Sequence, residues 1–475
     1  MALSHIVVIT LISLLCTALA LGGERRPNFV LCMADDQGFA DIGYTSDGPL
    51  QTPVLDDMAR TGLRLDRFYA AAPVCSPTRG SFLTGRHPNR FGCFQWGHTL
   101  RPQEITLADA LQQAGYRTGH FGKWHLGSTR PESPVSPGNS GFDTWVSSPN
   151  FMDNDPLLAD HGQVKQYRGE SSMVIVEEAL KFIHDAAGKD QPFAAVVWFG
   201  SPHTPLIGAP ELLALYKDAD ISEEQKHYFA EITGIDRAMG RLREELRSLG
   251  IADDTLVLYT SDNGPQGTHE RPGSAAPFSG RKAELLEGGV RVPAIIEWPA
   301  KIKTGRTTDV PVNSSDIYPT VLELAGVTAE NQVQPLDGIS VRPLILGERF
   351  QRTTPMGFWH YDAPGVRTVS NELLEEQAAG KSPLLYDDVA LSQITRQYDV
   401  DDRRGDAAWI DGDWKLLIRK RRVETPTMEL FNLADDPAEK NNLAAQHPQR
   451  AGQMHAALDA WQTSVIRSLN GEDYR

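Results

Sequence analysis

The sequence predicts an α/β fold in which a mostly parallel central sheet is sandwiched by helices, with a smaller C-terminal antiparallel sheet plus a helix. Two observations predict the large sheet. Short uninterrupted apolar runs are typical of strands buried on both faces, and they alternate with amphipathic helical segments. A third observation predicts the smaller unit, because this alternation gives way after about residue 345 to short strands around an Asp-Gly turn.

The predicted elements of the large sheet follow one another along the chain. The strands are predicted at residues 29–34, 193–199, 255–259 and 293–298. The helices are predicted at residues 52–62, 105–115, 222–249 and 316–325. The longest of these helices has apolar side chains at helical spacing from Phe229 to Leu246. Since strands alternate with helices, we expect mostly parallel strands with helices on both faces of the sheet.

The C-terminal part has a different pattern. Residues 371–404 are polar and lack a steady periodicity, so they are predicted to be loop and partner-facing surface. Residues 408–418 have the pattern of two strands around a turn, and residues 429–433 that of a third strand. Residues 448–469 have the spacing of a closing amphipathic helix. The sequence therefore predicts a small antiparallel sheet packed with one helix.

The chain is predicted to begin with an export signal. The apolar run at residues 6–21 is short for a membrane span, ends in the small-x-small sequence Ala18-Leu19-Ala20, and is followed by polar residues. We predict a cleaved signal peptide at residues 1–22, with a retained anchor as the alternative, so the protein is expected to be exported: periplasmic, extracellular or lumenal. The rest divides into a main domain at residues 25–348 and a C-terminal α+β subdomain at residues 349–475.

Composition excludes several classes of protein. The 475 residues are 40% hydrophobic and 23% charged, which excludes a disordered, collagen-like, coiled-coil or polytopic membrane protein. The formal net charge of -16 would repel a phosphate backbone, so no nucleic acid is expected as a partner. Four cysteines are too few for a disulfide framework, and Cys32 and Cys93 are expected to be free buried thiols.

Oxygen-bearing side chains follow two of the predicted buried strands. Asp35 and Asp36 come after the first strand, and Asp262 and Asn263 come shortly after the strand at residues 255–259. Because the carboxyl ends of parallel strands open onto one crevice, these side chains are expected to lie together. Carboxylate and amide oxygens suit Ca²⁺ or Mg²⁺ rather than Zn²⁺. The alternative is that they only cap strand-to-helix turns.

The segment at residues 74–86 carries the sharpest signal in the chain. Ser76 and Pro77 fit the N-cap and N1 positions of a helix, which would place Cys75 just ahead of a helix N-terminus. Amide dipoles favour an anion there, and Arg79 falls one turn along on the same face. The alternative is a buried structural cysteine followed by an ordinary capped helix.

This segment resembles the signature of a known enzyme family. The sequence Cys75-Ser-Pro-Thr-Arg79, followed by Gly80 and Leu83-Thr-Gly-Arg86, is similar to that of the type I sulfatases of the alkaline phosphatase superfamily. The resemblance implies an alkaline phosphatase-like fold. It also implies that a maturation enzyme converts Cys75 to formylglycine, whose aldehyde hydrate is the nucleophile.

Three further segments match signatures of the same family. They are Gly122-Lys-Trp-His-Leu-Gly127, Ser201-Pro-His-Thr-Pro205 and Gly280-Arg-Lys-Ala-Glu284, which supply Lys123 and His125, His203, and Lys282. Taken singly, they have plainer interpretations as a polar turn, a rigid loop and a solvated surface pair. The resemblance covers roughly residues 27–345 and continues more weakly at residues 414–416 and 429–433.

The resemblance implies a role for each matched residue. The metal, usually Ca²⁺ with Mg²⁺ as the alternative, is expected to be bound by the converted Cys75 together with Asp35, Asp36, Asp262 and Asn263. Arg79 is expected to steady the hydrate, and Lys123 and Lys282 to hold the sulfate. His203 is expected to bind substrate, and His203 or Lys282 to protonate the leaving alcohol. His125 is expected to take the proton of the second hydroxyl. A further polar residue that touches the nucleophile is expected at Ser147, Ser148 or Asn150.

The expected function is hydrolysis of a sulfate ester, with release of inorganic sulfate. A sulfate monoester is an anion, so its cleavage needs fixed positive charge, a strong nucleophile and a proton for the leaving oxygen. The substrate is expected to be a sulfated carbohydrate or an aryl sulfate. Residues 141–145 and 148–150 resemble the arylsulfatase-like branch that cleaves galactose or N-acetylgalactosamine sulfates. The alternatives are a phosphoester or phosphonate hydrolase on the same scaffold and a catalytically silent sulfoglycan-binding protein.

Overall fold

The computed structural model describes residues 25–268, 270–381, 394–421 and 423–474. The predicted signal peptide at residues 1–22 lies outside the described residues. The strands are β1 Asn28–Ala34, β2 Leu63–Leu65, β3 Phe68–Tyr69, β4 Arg117–Lys123, β5 Thr144–Ser148, β6 Leu157–Asp160, β7 Gln163–Gln166, β8 Phe193–Trp198, β9 Thr255–Ser261, β10 Arg291–Val292, β11 Ala294–Glu297, β12 Arg306–Thr308, β13 Val312–Asn313, β14 Met356–His360, β15 Asp406–Asp411, β16 Trp414–Arg419 and β17 Thr427–Asn432. The helices are α1 Pro53–Thr61, α2 Cys75–Thr84, α3 Leu107–Gln113, α4 Ser171–Gly188, α5 Pro210–Leu213, α6 Glu223–Ser248, α7 Glu287–Val290, α8 Ile317–Ala325, α9 Arg342–Ile345, α10 Ser370–Ala378 and α11 Pro448–Leu469.

The large sheet has a parallel centre with antiparallel flanks. Within the described residues it contains ten strands in the order β12-β2-β11-β9-β1-β8-β4-β5-β6-β7. The five consecutive strands from β9 to β5 run parallel to one another. The flanking strands β11, β6 and β7 pair antiparallel with their neighbours. The prediction of a mostly parallel sheet is therefore confirmed for its central strands.

The alternation of side chains along β1 explains the two layers of helices. Phe29, Leu31 and Met33 pack into one core cluster, and the intervening Val30, Cys32 and Ala34 into the other. Since successive side chains of a strand point to opposite faces, an uninterrupted apolar run needs cover on both faces. Helices α2, α3, α8 and α9 contribute to the first cluster, and α1, α4 and α6 to the second.

The long helix α6 begins and ends close to its predicted limits. The Ser222 hydroxyl accepts a hydrogen bond from the Gln225 N–H at 3.1 Å, which satisfies one free amide of the first turn. Apolar residues along one side of the helix, from Phe229 to Leu246, are buried. None of the helices that the structure describes is long and apolar enough to cross a membrane.

The C-terminal sheet has four antiparallel strands in the order β14-β15-β16-β17. Gly412 lies in the tight turn between β15 and β16 with a φ of 59°, a left-handed conformation that glycine adopts without steric cost. Helix α11 packs against this sheet through Leu458 and Val465. The predicted antiparallel sheet and closing helix are confirmed, whereas the division of the chain at residue 348 stays a prediction.

One predicted loop contains a helix. Residues 371–404 were expected to be loop, but α10 occupies Ser370–Ala378. Its Leu374 is fully buried against Trp145 and Ala159. The prediction was wrong because most of the helix is polar, and so few buried apolar positions give no readable helical period.

The register of the parallel strands brings their carboxyl ends to one edge. Met33 of β1 lies opposite Trp198 of β8, and Ala34 lies opposite Ser261 of β9. On the next strand, Gly122 of β4 also lies opposite Trp198. The loops that leave these four strands therefore start side by side, as expected for a ligand-binding edge.

Candidate active site

The four oxygen-bearing residues that follow β1 and β9 contact one another. The N–H of Asp36 donates to Asp262 Oδ1 at 3.1 Å, and Asn263 Nδ2 donates to Asp36 Oδ1 at 2.6 Å. Asp36 has a φ of 65°, which turns the chain sharply after Asp35. All four side chains are fully buried. The structure thus brings the predicted metal ligands together.

Two oxygens of this cluster are buried without a hydrogen-bond partner. They are Asp35 Oδ1 and Asn263 Oδ1, as judged over the residues that the structure describes. One oxygen of Asp35, one of Asp262 and the Sγ of Cys75 all lie within 4.8 Å of one another. A buried polar atom without a partner is costly, and a cation would satisfy both oxygens. The donor set is mostly oxygen, so the site fits Ca²⁺ or Mg²⁺.

Cys75 is the first residue of α2 rather than the residue before it. Val74 is extended, with φ −147° and ψ 153°, and helical conformation starts at Cys75. The predicted N-cap role of Ser76 was therefore wrong, because this residue lies inside the first turn. The Ser76 hydroxyl instead accepts from the Gly97 N–H at 2.9 Å. Pro77 stays within the first turn, where its missing N–H costs no helical hydrogen bond.

The thiol of Cys75 lies deep in the site. Its burial raises its pKa above the ordinary value, although the ammonium groups of Lys123 and Lys282 act in the opposite direction. The unmodified side chain is consequently a protonated thiol at neutral pH and a poor nucleophile.

Arg79 lies one helical turn after Cys75 and is fixed by an acidic partner. Its Nε and Nη2 donate to Asp262 Oδ2 at 3.1 and 2.7 Å. The guanidinium also lies over the Trp198 ring, 5.1 Å from its centroid. Both the guanidinium and its partner carboxylate are fully buried. This geometry holds a positive charge close to residue 75.

Two lysines, one at the end of β4 and one in the loop between β9 and α7, neutralise the remaining carboxylates. Lys123 Nζ donates to Asp35 Oδ2 at 2.6 Å, and Lys282 Nζ donates to the two oxygens of Asp36 at 2.6 and 2.7 Å. Burial alone would lower the pKa of Lys282, but the acidic groups around it, Asp36 first, together outweigh burial and the pKa is raised. Both ammonium groups therefore lie against the carboxylate cluster.

His203 lies on the loop after β8, beside the same carboxylates. Its Nε2 is 3.6 Å from Asp36 Oδ2, and its ring stacks on Phe151 with 4.6 Å between centroids. Burial lowers the pKa of His203, although Asp35 and Asp36 oppose that shift. The imidazole therefore lies beside the same carboxylate that Lys282 contacts.

His125 follows β4 and is almost entirely buried. Its φ is 52°, a left-handed conformation that is uncommon for a residue with a side chain. Nε2 lies 3.0 Å from Thr368 Oγ1, and Nδ1 has no hydrogen-bond partner among the described residues. Burial lowers the pKa of His125 well below its ordinary value, with Lys123 and Arg79 adding to the shift. The imidazole is therefore neutral, and its Nδ1 makes no hydrogen bond to the described residues.

The three polar candidates after β4 differ in their contacts. Ser147 Oγ lies 2.7 Å from His120 Nδ1, which is not one of the predicted catalytic residues. Ser148 Oγ is buried without a partner among the described residues. Asn150 donates to Thr368, the residue that contacts His125. Sequence reasoning missed Thr368, since it stands in no motif and no local signal distinguishes it.

A search of protein-family models returned two matches. The model described as Sulfatase matches residues 27–327, well over half of the chain. The model described as N-sulphoglucosamine sulphohydrolase, C-terminal, matches residues 281–374. The two matches together span the large sheet and the start of the C-terminal part.

Individual proteins match over most of the chain. The N-acetylgalactosamine-6-sulfatase of Homo sapiens is 33% identical over 365 residues, covering 70% of this chain and 68% of that protein. The arylsulfatase A of Homo sapiens is 32% identical over 372 residues, covering 70% of each. The crystal structure of Ps i-CgsB in complex with k-i-k-neocarrahexaose superposes with a TM-score of 0.76 at 25% identity, covering 92% of this chain and 93% of that one.

Proposed function

This chain belongs to the sulfatase family and is a sulfuric ester hydrolase, and we propose that it cleaves sulfated carbohydrates with a formylglycine made from Cys75 beside a bound Ca²⁺ ion. Members of this family generally use Ca²⁺ and formylglycine. The observation that carries the proposal is the position of Cys75, whose Sγ lies within 4.8 Å of oxygens from Asp35 and Asp262. A modified side chain at this position would lie beside the metal ligands.

Four residues are proposed to hold the cation, with Mg²⁺ as the alternative ion. They are Asp35, Asp36, Asp262 and Asn263, together with the modified residue 75. The two buried oxygens without partners, on Asp35 and Asn263, support this assignment. When present, the cation polarises a sulfate oxygen and the hydrated aldehyde supplies the attacking hydroxyl.

Two lysines are proposed to bind the sulfate group, and Arg79 is proposed to help offset its charge. Lys123 donates to Asp35 and Lys282 donates to Asp36, so each ammonium group lies within 2.7 Å of the carboxylate cluster. Arg79 is held by Asp262 one turn after residue 75, where it would orient that side chain. Fixed positive charge in a buried site stabilises an anion more strongly than it would in water.

Two proton transfers are proposed, one when the alcohol leaves and one when inorganic sulfate departs. The leaving oxygen gains charge as the ester S–O bond breaks, and His203 or Lys282 is placed to protonate it, as substrate-binding groups beside Asp36. His125, a buried neutral imidazole, would take a proton when inorganic sulfate departs. Before the next turnover, the donor regains a proton, His125 and the attacking hydroxyl lose theirs to solvent, and water adds back to the aldehyde.

A sulfated carbohydrate is the proposed substrate, with an aryl sulfate as a usable analogue. One relative is named N-acetylgalactosamine-6-sulfatase, and one similar structure holds neocarrahexaose. Both names contain a sugar, in agreement with the resemblance of residues 141–145 and 148–150. A maturation enzyme that acts on Cys75 and export through the predicted signal peptide complete the proposal.

The proposed nucleophile is tested with paired substrates and variants. Turnover of 4-nitrophenyl sulfate and 4-nitrophenyl phosphate is measured for the wild type, Cys75→Ala and Cys32→Ala. We expect sulfate to be the better substrate and Cys75→Ala to lose at least about 10³-fold in kcat, because the nucleophile is missing. Cys32→Ala, which removes another buried thiol, should keep most of the activity.

Each other outcome identifies an alternative. Equal rates for wild type and Cys75→Ala would contradict the nucleophile. Faster cleavage of the phosphate would favour the phosphoester hydrolase. Binding of a sulfated glycan without turnover of any sulfate ester would favour the silent binding protein.

A further inference from the structure

Thr368 contacts His125 from the C-terminal part of the chain. It lies between β14 and α10, far in sequence from every motif of the site, and it is buried. Its Oγ1 lies 3.0 Å from Nε2 of His125. Among the described residues, this oxygen is the hydrogen-bond partner of that nitrogen, while Nδ1 of the same ring has none.

Asn150 fixes the hydroxyl of Thr368 from the opposite side. Its Nδ2 donates to the Thr368 backbone oxygen at 2.8 Å and to Oγ1 at 3.0 Å. A carbonyl oxygen only accepts hydrogen bonds, so the amide nitrogen and not the amide oxygen must face Thr368. Oγ1 therefore receives one hydrogen bond from Asn150 and retains a second lone pair and its own O–H, so the tautomer of His125 decides which of the two faces Nε2.

The segment that carries Thr368 is held at both ends. The Val366 N–H donates to the Trp96 backbone oxygen at 3.0 Å. At Gly97, a Cβ atom would lie only 2.1 Å from the Val366 oxygen, so the two backbones are in close contact. Beyond Thr368, the Ser370 hydroxyl accepts from the Asn150 N–H at 3.0 Å. A side chain held in this way has little freedom to leave the His125 ring.

We propose that Thr368 is a positioning residue that accepts the Nε2–H of His125 and so keeps Nδ1 free of a proton; this inference rests on the proposed function. A neutral imidazole carries one proton, and the partner of one nitrogen decides which nitrogen carries it. If Nδ1 is to accept a proton as sulfate departs, Nε2 must already hold one. Thr368 also partners Nε2–H after Nδ1 has been protonated.

The kinetic test compares two substitutions of Thr368. Thr368→Val keeps the shape of the side chain but removes the hydroxyl, and Thr368→Ser keeps the hydroxyl but removes the methyl group. We expect Thr368→Val to lower kcat by about 10- to 100-fold, the range for loss of a partner that orients a functional histidine. Thr368→Val should slow the departure of sulfate, which follows the release of the alcohol. KM should therefore fall together with kcat, and nitrophenol should appear in a burst of about one equivalent per modified active site.

Rescue and a matched control separate the hydroxyl from general packing. Thr368→Ser should keep at least about a third of the wild-type kcat, since its hydroxyl can make the same hydrogen bond. Thr320→Val removes another buried hydroxyl, in α8, and should leave kcat and KM unchanged. Unchanged kinetics in Thr368→Val would overturn the proposal, and so would a loss of activity in Thr368→Val that Thr368→Ser shares.

A second measurement does not depend on turnover. The ring ¹⁵N shifts of His125 are recorded on histidine-labelled Cys75→Ala protein, with a His125→Gln spectrum for assignment. We expect a protonated Nε2 and an unprotonated Nδ1, and a loss of this preference after Thr368→Val. A protonated Nδ1 in the parent protein would contradict the role of Thr368 even if the sulfatase activity is confirmed. An inactive wild type with the expected shifts would count against the proposed function alone.

Discussion

At the scale of single residues, the clearest feature is a pair of buried oxygens without partners. Asp35 Oδ1 and Asn263 Oδ1 lie at the ends of adjacent strands, where the protein supplies each of them with no donor among the described residues. Lys123 and Arg79 neutralise part of the charge, but their hydrogen bonds go to other oxygens, and Arg79 Nη2 is 3.8 Å from Asp35 Oδ1, beyond hydrogen-bond distance. Leaving such groups unsatisfied costs about 1–3 kcal/mol each, which a bound cation would recover.

Removal of one carboxylate tests this interpretation at the residue scale. We expect Asp35→Asn to weaken Ca²⁺ binding by at least about tenfold, because affinity follows the number of charged ligands. The measurement is the Ca²⁺ concentration that gives half of the rise in Tm, since a ligand that binds only the folded state stabilises it. Asp253→Asn, an exposed acidic residue, is the control. Identical Ca²⁺ dependence in the two variants would contradict the assignment.

The residues of the site differ in how far the sequence predicts them. Asp35, Asp36, Asp262 and Asn263 were expected to meet because the carboxyl ends of parallel strands share an edge, and the structure brings them into contact. Thr368 could not be predicted. The positioning role proposed for it depends on a contact with His125, which lies more than two hundred residues away in sequence. Neither periodicity nor local composition indicates such a contact.

At the scale of elements, a buried ion-pair cluster joins the C-terminal sheet to the site. Lys415 of β16 donates to Glu287 of α7 at 2.9 Å and lies 2.8 Å from Glu439, and the Tyr69 hydroxyl also donates to Glu287 at 2.9 Å. Helix α7 in turn touches the loop of Asn263, because a Cβ at Gly264 would lie 1.9 Å from the backbone of α7. The C-terminal sheet thus supports a loop that carries a proposed metal ligand.

Loss of the lysine in this cluster should destabilise the fold. Lys415→Met leaves Glu287 buried with less compensating charge, so we expect the free energy of unfolding to fall by about 3–5 kcal/mol. The measurement is chemical denaturation followed by tryptophan fluorescence. Lys440→Met, an exposed lysine in the same part of the chain, should change stability by less than about 0.5 kcal/mol. A loss below about 1 kcal/mol in Lys415→Met would contradict a structural role for the cluster.

The elements that the sequence predicts well are those with a strong period. The predicted buried strands and the long helices α6 and α11 lie close to their predicted limits because many apolar side chains repeat along them, whereas β4 and α4 were not predicted. Helix α10 was missed because Leu374 is its one apolar side chain that is fully buried. The start of α2 was misplaced by two residues, since Ser76 has the composition of an N-cap but its hydroxyl accepts from Gly97 instead, and the N-cap is Val74.

At the scale of the whole molecule, an acidic protein encloses a site that is arranged to attract an anion. The formal net charge is -16, yet Arg79, Lys123 and Lys282 converge on three carboxylates. The carboxylates balance the cations within the protein, and a divalent cation would shift that balance toward a bound sulfate ester. The net charge therefore excludes nucleic acids as partners, whereas the arrangement of side chains in the site determines which small anion binds.

The most direct test of the account concerns residue 75 itself. Preparations with different degrees of maturation are analysed by mass spectrometry of the peptide that contains residue 75, and the sulfatase activity of each is measured with saturating Ca²⁺. We expect an aldehyde in place of the thiol, with activity proportional to the aldehyde fraction and none in a preparation that contains only thiol. Full activity from protein whose residue 75 is entirely unmodified cysteine would contradict the proposed nucleophile.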